Sequence, residues 1–215
     1  MDKLGNLFIL GDSYSTFSGN IPEDCHPYYP ANEEVGNNVV DVSQTWWKPF
    51  IEETGANLIE NCSYSGSTIC HTGYRGEDYS KISFIARLEK RIASGLFDKN
   101  KIDTFILFGA TNDSWANSPL GEVKYADWTT EDLYSSFPAF CYLLDRIKGI
   151  LPDTKLIFVL NSELKPEINE TYTKICEKYN VDMLKLKDIQ KVEGHPDIKG
   201  MEQIKNQIID YVKKL

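Results

Sequence analysis

Nearly continuous apolar runs that alternate with helical patterns constrain the fold of this chain most strongly. The clearest runs are TFILF (residues 104–108) and KLIFVL (155–160), and residues 7–10 form a third. An unbroken apolar run of this length is typical of a parallel strand that is covered on both faces. Shorter candidates lie at residues 57–60 and 181–186. The runs therefore predict a mainly parallel sheet.

Helical patterns fill the intervals between these runs. TWWKPFIEETG (45–55) has a Thr that could cap a helix at one end and a Gly at the other, and FIARLEKRIASG and EINETYTKICEKYN follow further along. Strands alternating with helices predict a three-layer α/β/α sandwich around a central parallel sheet. No repeat or Pro/Gly/Ser-rich linker interrupts the pattern, so we expect a single domain over residues 1–215.

Composition excludes several classes of function. The net charge of −9 argues against nucleic acid or an anionic membrane as a partner, since both are bound by clustered Lys and Arg. No segment approaches the ~20 apolar residues that span a bilayer, and MDKLGNLFIL does not resemble a secretory leader. The five cysteines contain no C-x-x-C pair and favour a reducing compartment. We therefore expect a cytoplasmic protein, although a leader removed earlier is an open alternative.

Polar loops that follow the predicted strands carry the candidate chemistry. They are GDSYS (11–15), NCSYSGS (61–67) and GATND (109–113), and a fourth loop, VEGHPDIKG (192–200), precedes the last helix. Ligand sites in parallel sheets form beyond the carboxyl ends of the strands. These loops supply a hydroxyl, glycine amides, a carboxamide and an imidazole, which together are what acyl transfer requires.

Individual residues can be assigned roles in such a reaction. Ser13 is the candidate nucleophile and His195 the candidate base, because a serine hydroxyl is a weak nucleophile until a base takes its proton. The backbone N–H groups of Ser13 and Gly66 and the side-chain amide of Asn112 are the candidate oxyanion donors. Taken alone, Ser13 is more typical of a structural turn, and Gly66, Asn112 and His195 can be explained by a turn, a helix cap and a loop; the hypothesis depends on their occurring together. The three histidines show no i, i+4 pair, so no metal or other cofactor is expected.

These four loops resemble the sequence blocks of the SGNH hydrolases, also called the GDSL family. Gly11-Asp12-Ser13 matches the first block, residues 61–68 the second, residues 109–113 the G-x-x-N-D form of the third, and His195-Pro196 the last. The blocks are short, but their order spans nearly the whole chain. The resemblance implies a flavodoxin-like SGNH hydrolase fold and a serine esterase, with Ser13, Gly66, Asn112 and His195 in the roles above.

One position departs from the family pattern. The last block usually reads D-x-x-H, in which the Asp orients the His, but this chain has Val192 there. Glu193 and Asp188 are the candidate substitutes, and a backbone carbonyl that holds the ring in a Ser–His dyad is the alternative. We favour the dyad, helped by Glu193.

The substrate class is the least constrained prediction. Tyr64 and Trp115, within the blocks, and Asp12 are the candidate substrate contacts, and the irregular segment 14–44 is expected to shape the mouth of the pocket. Polar, aromatic-rich loops favour a small ester such as an O-acetyl group on a carbohydrate over a long lipid. Two other classes stay open: an SGNH-like domain that binds without catalysis, and a flavodoxin-like module that binds phosphate at GDSYST. The oligomeric state is not predicted.

Overall fold

A computed structural model of the chain describes residues 4–31 and 33–215. Its centre is a five-stranded parallel sheet with the strand order β2-β1-β3-β4-β5. The strands are β1 (Asn6–Gly11), β2 (Asn57–Ser63), β3 (Thr104–Gly109), β4 (Lys155–Leu160) and β5 (Asp182–Lys185). Each predicted apolar run is one of these strands, and the boundaries differ most at β2, which is three residues longer than expected.

Seven α-helices accompany the sheet in the described part of the chain. They are α1 (Trp47–Thr54), α2 (Phe84–Ala93), α3 (Leu96–Lys99), α4 (Thr111–Trp115), α5 (Ser136–Ile150), α6 (Pro166–Tyr179) and α7 (Ile198–Val212). Helix α1 ends at Gly55, which adopts a left-handed conformation, as its pattern predicts. None of the helices described is long and apolar enough to cross a membrane.

Side chains of the central strands alternate between two apolar cores. Phe105 and Leu107 of β3 join the core beneath α2, α5 and α6, whereas Ile106 and Phe108 join the core beneath α1 and α7. Residues of β1 and β4 alternate in the same way. Because both faces of the sheet are covered, its strands carry the continuous apolar runs of the sequence. The predicted three-layer sandwich is confirmed.

The strand register brings the polar loops together. At the end of β1, Gly11 is level with Ser63 of β2 and with Phe108 of β3. The loops that leave these three strands therefore begin at one edge of the sheet. The fourth loop folds back to this edge as a short antiparallel hairpin of β6 (Lys191–Val192) and β7 (His195–Pro196), which leads into α7.

Candidate active site

Ser13 lies at the centre of this edge. It is the first residue of a 3₁₀ helix (Ser13–Ser15) that follows β1, and the Asp12 side chain caps that helix by accepting the Tyr14 N–H at 3.1 Å. The backbone N–H groups of Ser15 and Thr16 close the turn onto the carbonyls of Asp12 and Ser13. The N–H of Ser13, as the first in the turn, takes part in neither of these bonds.

His195 is brought to Ser13 by the β6–β7 hairpin. The two residues at its tip, Glu193 and Gly194, have φ values of +47° and +77°, the sign that type I′ turns require at both central positions. His195 Nε2 lies 3.0 Å from Ser13 Oγ, and Nδ1 lies 3.2 Å from the Glu193 carbonyl oxygen. A carbonyl can only accept, so Nδ1 carries the proton and the lone pair of Nε2 faces the serine hydroxyl. This tautomer is the one that a general base needs.

The structure places neither predicted acid on the imidazole. Both side chains, of Glu193 and Asp188, are exposed, and it is the backbone carbonyl of Glu193 that receives the Nδ1 proton. Val192 pairs directly with His195 across the hairpin. The proposed carboxylate partner is therefore corrected to a backbone carbonyl, the arrangement that the dyad alternative describes.

The electrostatic environment of His195 favours the neutral ring. Burial lowers the pKa of His195 to about 4; the nearby Lys191 ammonium acts in the same direction, and the bond to the Glu193 carbonyl acts against them. Within the described ranges, no carboxylate contributes to the pKa shift of the ring. The imidazole is consequently uncharged, and able to accept a proton, at all pH values well above 4.

The predicted oxyanion donors lie on two further loops. Gly66 has a φ of +79° in a turn that is closed by the Ser67 N–H on the Tyr64 carbonyl, so the Gly66 N–H inside the turn is not used there. Asn112, on α4, donates through Nδ2 to the Ser67 carbonyl at 2.9 Å and accepts the Tyr74 hydroxyl at Oδ1 at 2.7 Å. The second Nδ2 proton remains for a ligand.

Two buried charged residues hold these loops in place. Both carboxylate oxygens of Asp113 accept backbone N–H groups of the second loop, from Ile69 at 2.8 Å and Cys70 at 3.3 Å. The Arg87 guanidinium donates to the Gly11 carbonyl at 3.0 Å and to Ser67 Oγ at 2.9 Å, and also to the Cys62 carbonyl. The ends of β1 and β2 and the oxyanion loop are thus tied to one another.

Asp12 does not have the predicted role of a substrate contact. Its side chain has no exposed surface, and its bond to the Tyr14 N–H accounts for one carboxylate oxygen. Burial raises the pKa of Asp12 to about 6. A group without exposed surface cannot touch a substrate in this conformation, so its evident role is to form the turn that presents Ser13.

The two predicted aromatic contacts, Trp115 and Tyr64, differ in exposure and in their neighbours. Trp115 is 39% exposed, and its ring meets the His195 ring edge to face at 5.9 Å; Tyr64 is half-buried and lies 5.9 Å from the ring of His26. Sequence reasoning missed Tyr28, whose ring stacks on the His195 ring with centroids 3.6 Å apart. Its segment gave no signal beyond its irregular composition. Among the described residues no cluster of three metal-ligating side chains occurs.

Comparison with known proteins identifies the family. The family model for GDSL-like lipases and acylhydrolases matches residues 5–212. The chain belongs to this family. It is accordingly a hydrolase of ester bonds, and the resemblance seen in the four sequence blocks is confirmed.

Solved structures agree with this assignment. A protein from Bacteroides ovatus classed as a GDSL-like lipase is 46% identical, with a TM-score of 0.88 over 98% of each chain. A second, from Bacteroides uniformis, is 42% identical, with a TM-score of 0.88 over 98% of this chain and 96% of that one. An acetyl xylan esterase from Butyrivibrio proteoclasticus shares the fold at 16% identity, with a TM-score of 0.62 over 98% of this chain and 63% of that one. No curated protein matches the chain in sequence.

Proposed function

We propose that this family member is a serine esterase that works through a Ser13–His195 dyad. The observation that carries the proposal is the 3.0 Å contact between Ser13 Oγ and His195 Nε2, with the other ring nitrogen held by a carbonyl. A nucleophile, a base and a group that fixes the tautomer are the elements of activated-serine catalysis. The N–H groups of Ser13 and Gly66 and the side-chain amide of Asn112 are assigned the remaining requirement, stabilisation of an oxyanion.

The reaction proceeds in two displacements. Ser13 Oγ attacks the ester carbonyl carbon while His195 Nε2 takes its proton, and the negative charge forms on the carbonyl oxygen. The N–H groups of Ser13 and Gly66 and the free Nδ2 proton of Asn112 stabilise this charge. The C–O bond to the alcohol then breaks, and the imidazolium returns the proton to the leaving oxygen. In the second displacement His195 takes a proton from water as the water attacks the acyl-serine carbon; the bond to Ser13 Oγ then breaks, and the imidazolium returns the proton to Oγ as the acid leaves.

We further propose an acetylated carbohydrate as the substrate class. The exposed ring of Trp115, beside His195, suits a sugar ring, which presents flat C–H surfaces to aromatic side chains, and Tyr64 adds a second aromatic side chain on the loop of Gly66. The structural neighbours include the acetyl xylan esterase and a family two carbohydrate esterase from Clostridium thermocellum. At 15–16% identity these two share the fold, so the substrate has to be tested on this chain.

The dyad is tested with p-nitrophenyl acetate and a fluorophosphonate probe. Ser13→Ala should abolish labelling and lower kcat about 10⁴-fold or more. His195→Ala should lower the rate of labelling and kcat, because the two side chains act as one unit. Ser18→Ala and His26→Ala are matched controls, since both of these side chains are exposed. Labelling that survives Ser13→Ala would place the chemistry elsewhere. A folded wild-type protein that neither hydrolyses nor labels would instead support the binding-only alternative.

The substrate class needs a separate comparison. Acetate release from acetylated xylo-oligosaccharides should exceed the hydrolysis of p-nitrophenyl octanoate in kcat/KM, and Trp115→Ala should raise KM for the sugar more than for p-nitrophenyl acetate. Equal effects of Trp115→Ala on both substrates would contradict the carbohydrate proposal and leave the dyad untouched.

A further inference from the structure

The imidazole of His195 lacks the contact that usually fixes its plane. Its Nδ1 is held by a single backbone carbonyl at 3.2 Å, and the position that usually supplies a carboxylate is Val192. One hydrogen bond in the plane of a ring restrains one edge, but it leaves the ring free to tilt about that edge. Such a tilt would carry Nε2 away from Ser13 Oγ, so some other group must hold the ring.

Tyr28 makes the contact that opposes this tilt. Four aromatic rings of the described chain surround the imidazole, and Tyr28 is the one that lies parallel to it, with an angle of 7° and centroids 3.6 Å apart. The rings of Tyr14, Tyr29 and Trp115 are inclined at 55°, 77° and 76°. At this separation the Tyr28 ring blocks rotation of the imidazole toward it, and rotation away would lose the stacking contact, so the stack holds the imidazole plane.

Tyr28 is in turn fixed to the nucleophile. Its backbone N–H donates to Thr16 Oγ1 at 2.8 Å, and the Thr16 hydroxyl donates to the Ser13 carbonyl, also at 2.8 Å. A chain of two hydrogen bonds therefore connects the ring that orients the base to the turn that presents the serine. The positions of base and nucleophile are set relative to the same backbone.

The neighbouring tyrosines hold the hairpin on both sides of His195. The Tyr14 hydroxyl donates to the Gly194 carbonyl, and the Tyr29 hydroxyl donates to the Pro196 carbonyl at 2.8 Å. Tyr29 follows Tyr28 directly, so one segment restrains both the backbone of the hairpin and the plane of its imidazole. Tyr28 lies outside the four sequence blocks, in the irregular insertion that follows the first of them.

We propose that Tyr28 is a positioning residue for ester hydrolysis, whose stacked ring holds the His195 imidazole in line with Ser13 in place of the missing carboxylate. This role depends on the proposed Ser13–His195 chemistry. The hydroxyl of Tyr28 is not required for it; the flat ring is. Replacements that keep the ring should therefore differ sharply from replacements of similar size that lack it.

The pH profile provides a measurement that a purely structural role would not change. Burial is the main cause of the lowered pKa of His195, and the Tyr28 ring covers one face of the imidazole. The charged groups nearby are Lys191, which is paired with Glu163, and the exposed carboxylate of Glu193. None of these changes when Tyr28 is replaced, so loss of the ring should admit water and move the acidic limb of kcat/KM to higher pH.

The experiment compares Tyr28→Leu, Tyr28→Gln and Tyr28→Phe with the wild type on p-nitrophenyl acetate, from pH 4 to pH 9. Tyr125→Leu is the matched control, because Tyr125 is an exposed tyrosine whose ring pairs with Tyr179. We expect Tyr28→Leu and Tyr28→Gln to lower kcat about tenfold with little change in KM. Both should also move the acidic limb of the kcat/KM profile to higher pH. Tyr28→Phe, which keeps the ring, should retain most of the wild-type kcat and the wild-type position of the acidic limb. Melting temperatures show which variants are folded. Two variants without the ring are used so that the test can still be made if one of them does not fold.

Three results would overturn the proposal. Wild-type kcat and an unmoved acidic limb in the ringless variants would show that the stack does not position the base. A rise in KM alone would make Tyr28 a substrate contact, and a loss of stability with unchanged kcat of the folded protein would make it structural. Any of these, in a protein whose activity still depends on Ser13, refutes the role of Tyr28 only. Activity that does not depend on Ser13 refutes the dyad itself.

Discussion

Lowering the pH from 8 to 5 should leave this esterase almost fully active. His195 accepts a proton only when neutral, and its burial and the Lys191 ammonium lower its pKa to about 4. An ordinary imidazole, with a pKa of about 6.5, would be neutral in only ~3% of molecules at pH 5, whereas a pKa of ~4 leaves ~90% neutral. Because the base is lost as the pH falls through the pKa of the folded enzyme, kcat/KM should keep ~90% of its plateau at pH 5 and about half at pH 4.

The assay is the initial rate of phenyl acetate hydrolysis between pH 4 and pH 8, with the released phenol measured by chromatography. Circular dichroism at each pH confirms that the protein is folded. Lys191→Met should move the acidic limb to higher pH, because loss of the ammonium favours the imidazolium. An acidic limb near pH 6.5 in the wild type would refute the reasoning, since it would mean that water reaches the ring and that burial does not set its pKa.

Three further substitutions test the loops around the dyad. Asn112→Ala should lower kcat about 10²- to 10³-fold with little effect on KM, and a loss below about tenfold would exclude Asn112 from the oxyanion site. Gly66→Ala should lower the free energy of unfolding by about 1–2 kcal/mol in urea titrations. The added Cβ meets no neighbouring atom, so the cost comes from the φ of +79°, which strains any residue other than glycine. An unchanged free energy of unfolding would mean that the turn relaxes. Arg87→Leu should cost about 3 kcal/mol, since it removes a buried charged donor from the Cys62 carbonyl and Ser67 Oγ and one of the two donors to the Gly11 carbonyl, whereas Lys90→Leu, on the surface of the same helix, should cost less than about 1 kcal/mol.

The architecture of the sheet could be predicted because its determinants are local. Residues 105–108 and 156–160 are apolar without interruption, and such a run is typical of a strand covered on both faces. Parallel strands place their carboxyl ends together, so the loops containing Ser13, Gly66 and Asn112 converge once the strands are known. The proximity of His195 came from the resemblance to the family blocks, since its hairpin follows no central strand.

What could not be predicted depends on contacts between distant segments. Tyr28 and His195 are separated by 167 positions, and no period or motif in the sequence connects their rings. In the sequence, Asp12 is a polar residue next to the candidate nucleophile, which suggests an exposed position. Its burial depends on how the loops pack in three dimensions, and the hydrophobic pattern does not specify that packing. The partner of Nδ1 is a backbone carbonyl, and a backbone atom carries no residue identity for the sequence to reveal.

The low pKa of His195 and the absence of an acid have one common consequence for catalysis. Lowering an imidazole pKa from 6.5 to about 4 makes the free energy of its protonation less favourable by about 3 kcal/mol. A neutral carbonyl on Nδ1 stabilises the imidazolium less than a carboxylate would. In the proposed mechanism the negative charge that can compensate is the oxyanion, which forms on the carbonyl oxygen when Ser13 attacks the neighbouring carbon and the imidazolium appears. Stabilising the oxyanion and protonating the base are thus parts of one charge separation. If the proposed mechanism holds, a change in the Gly66 or Asn112 donor and a change in the orientation of the His195 ring should both raise the barrier to the same charge-separating step.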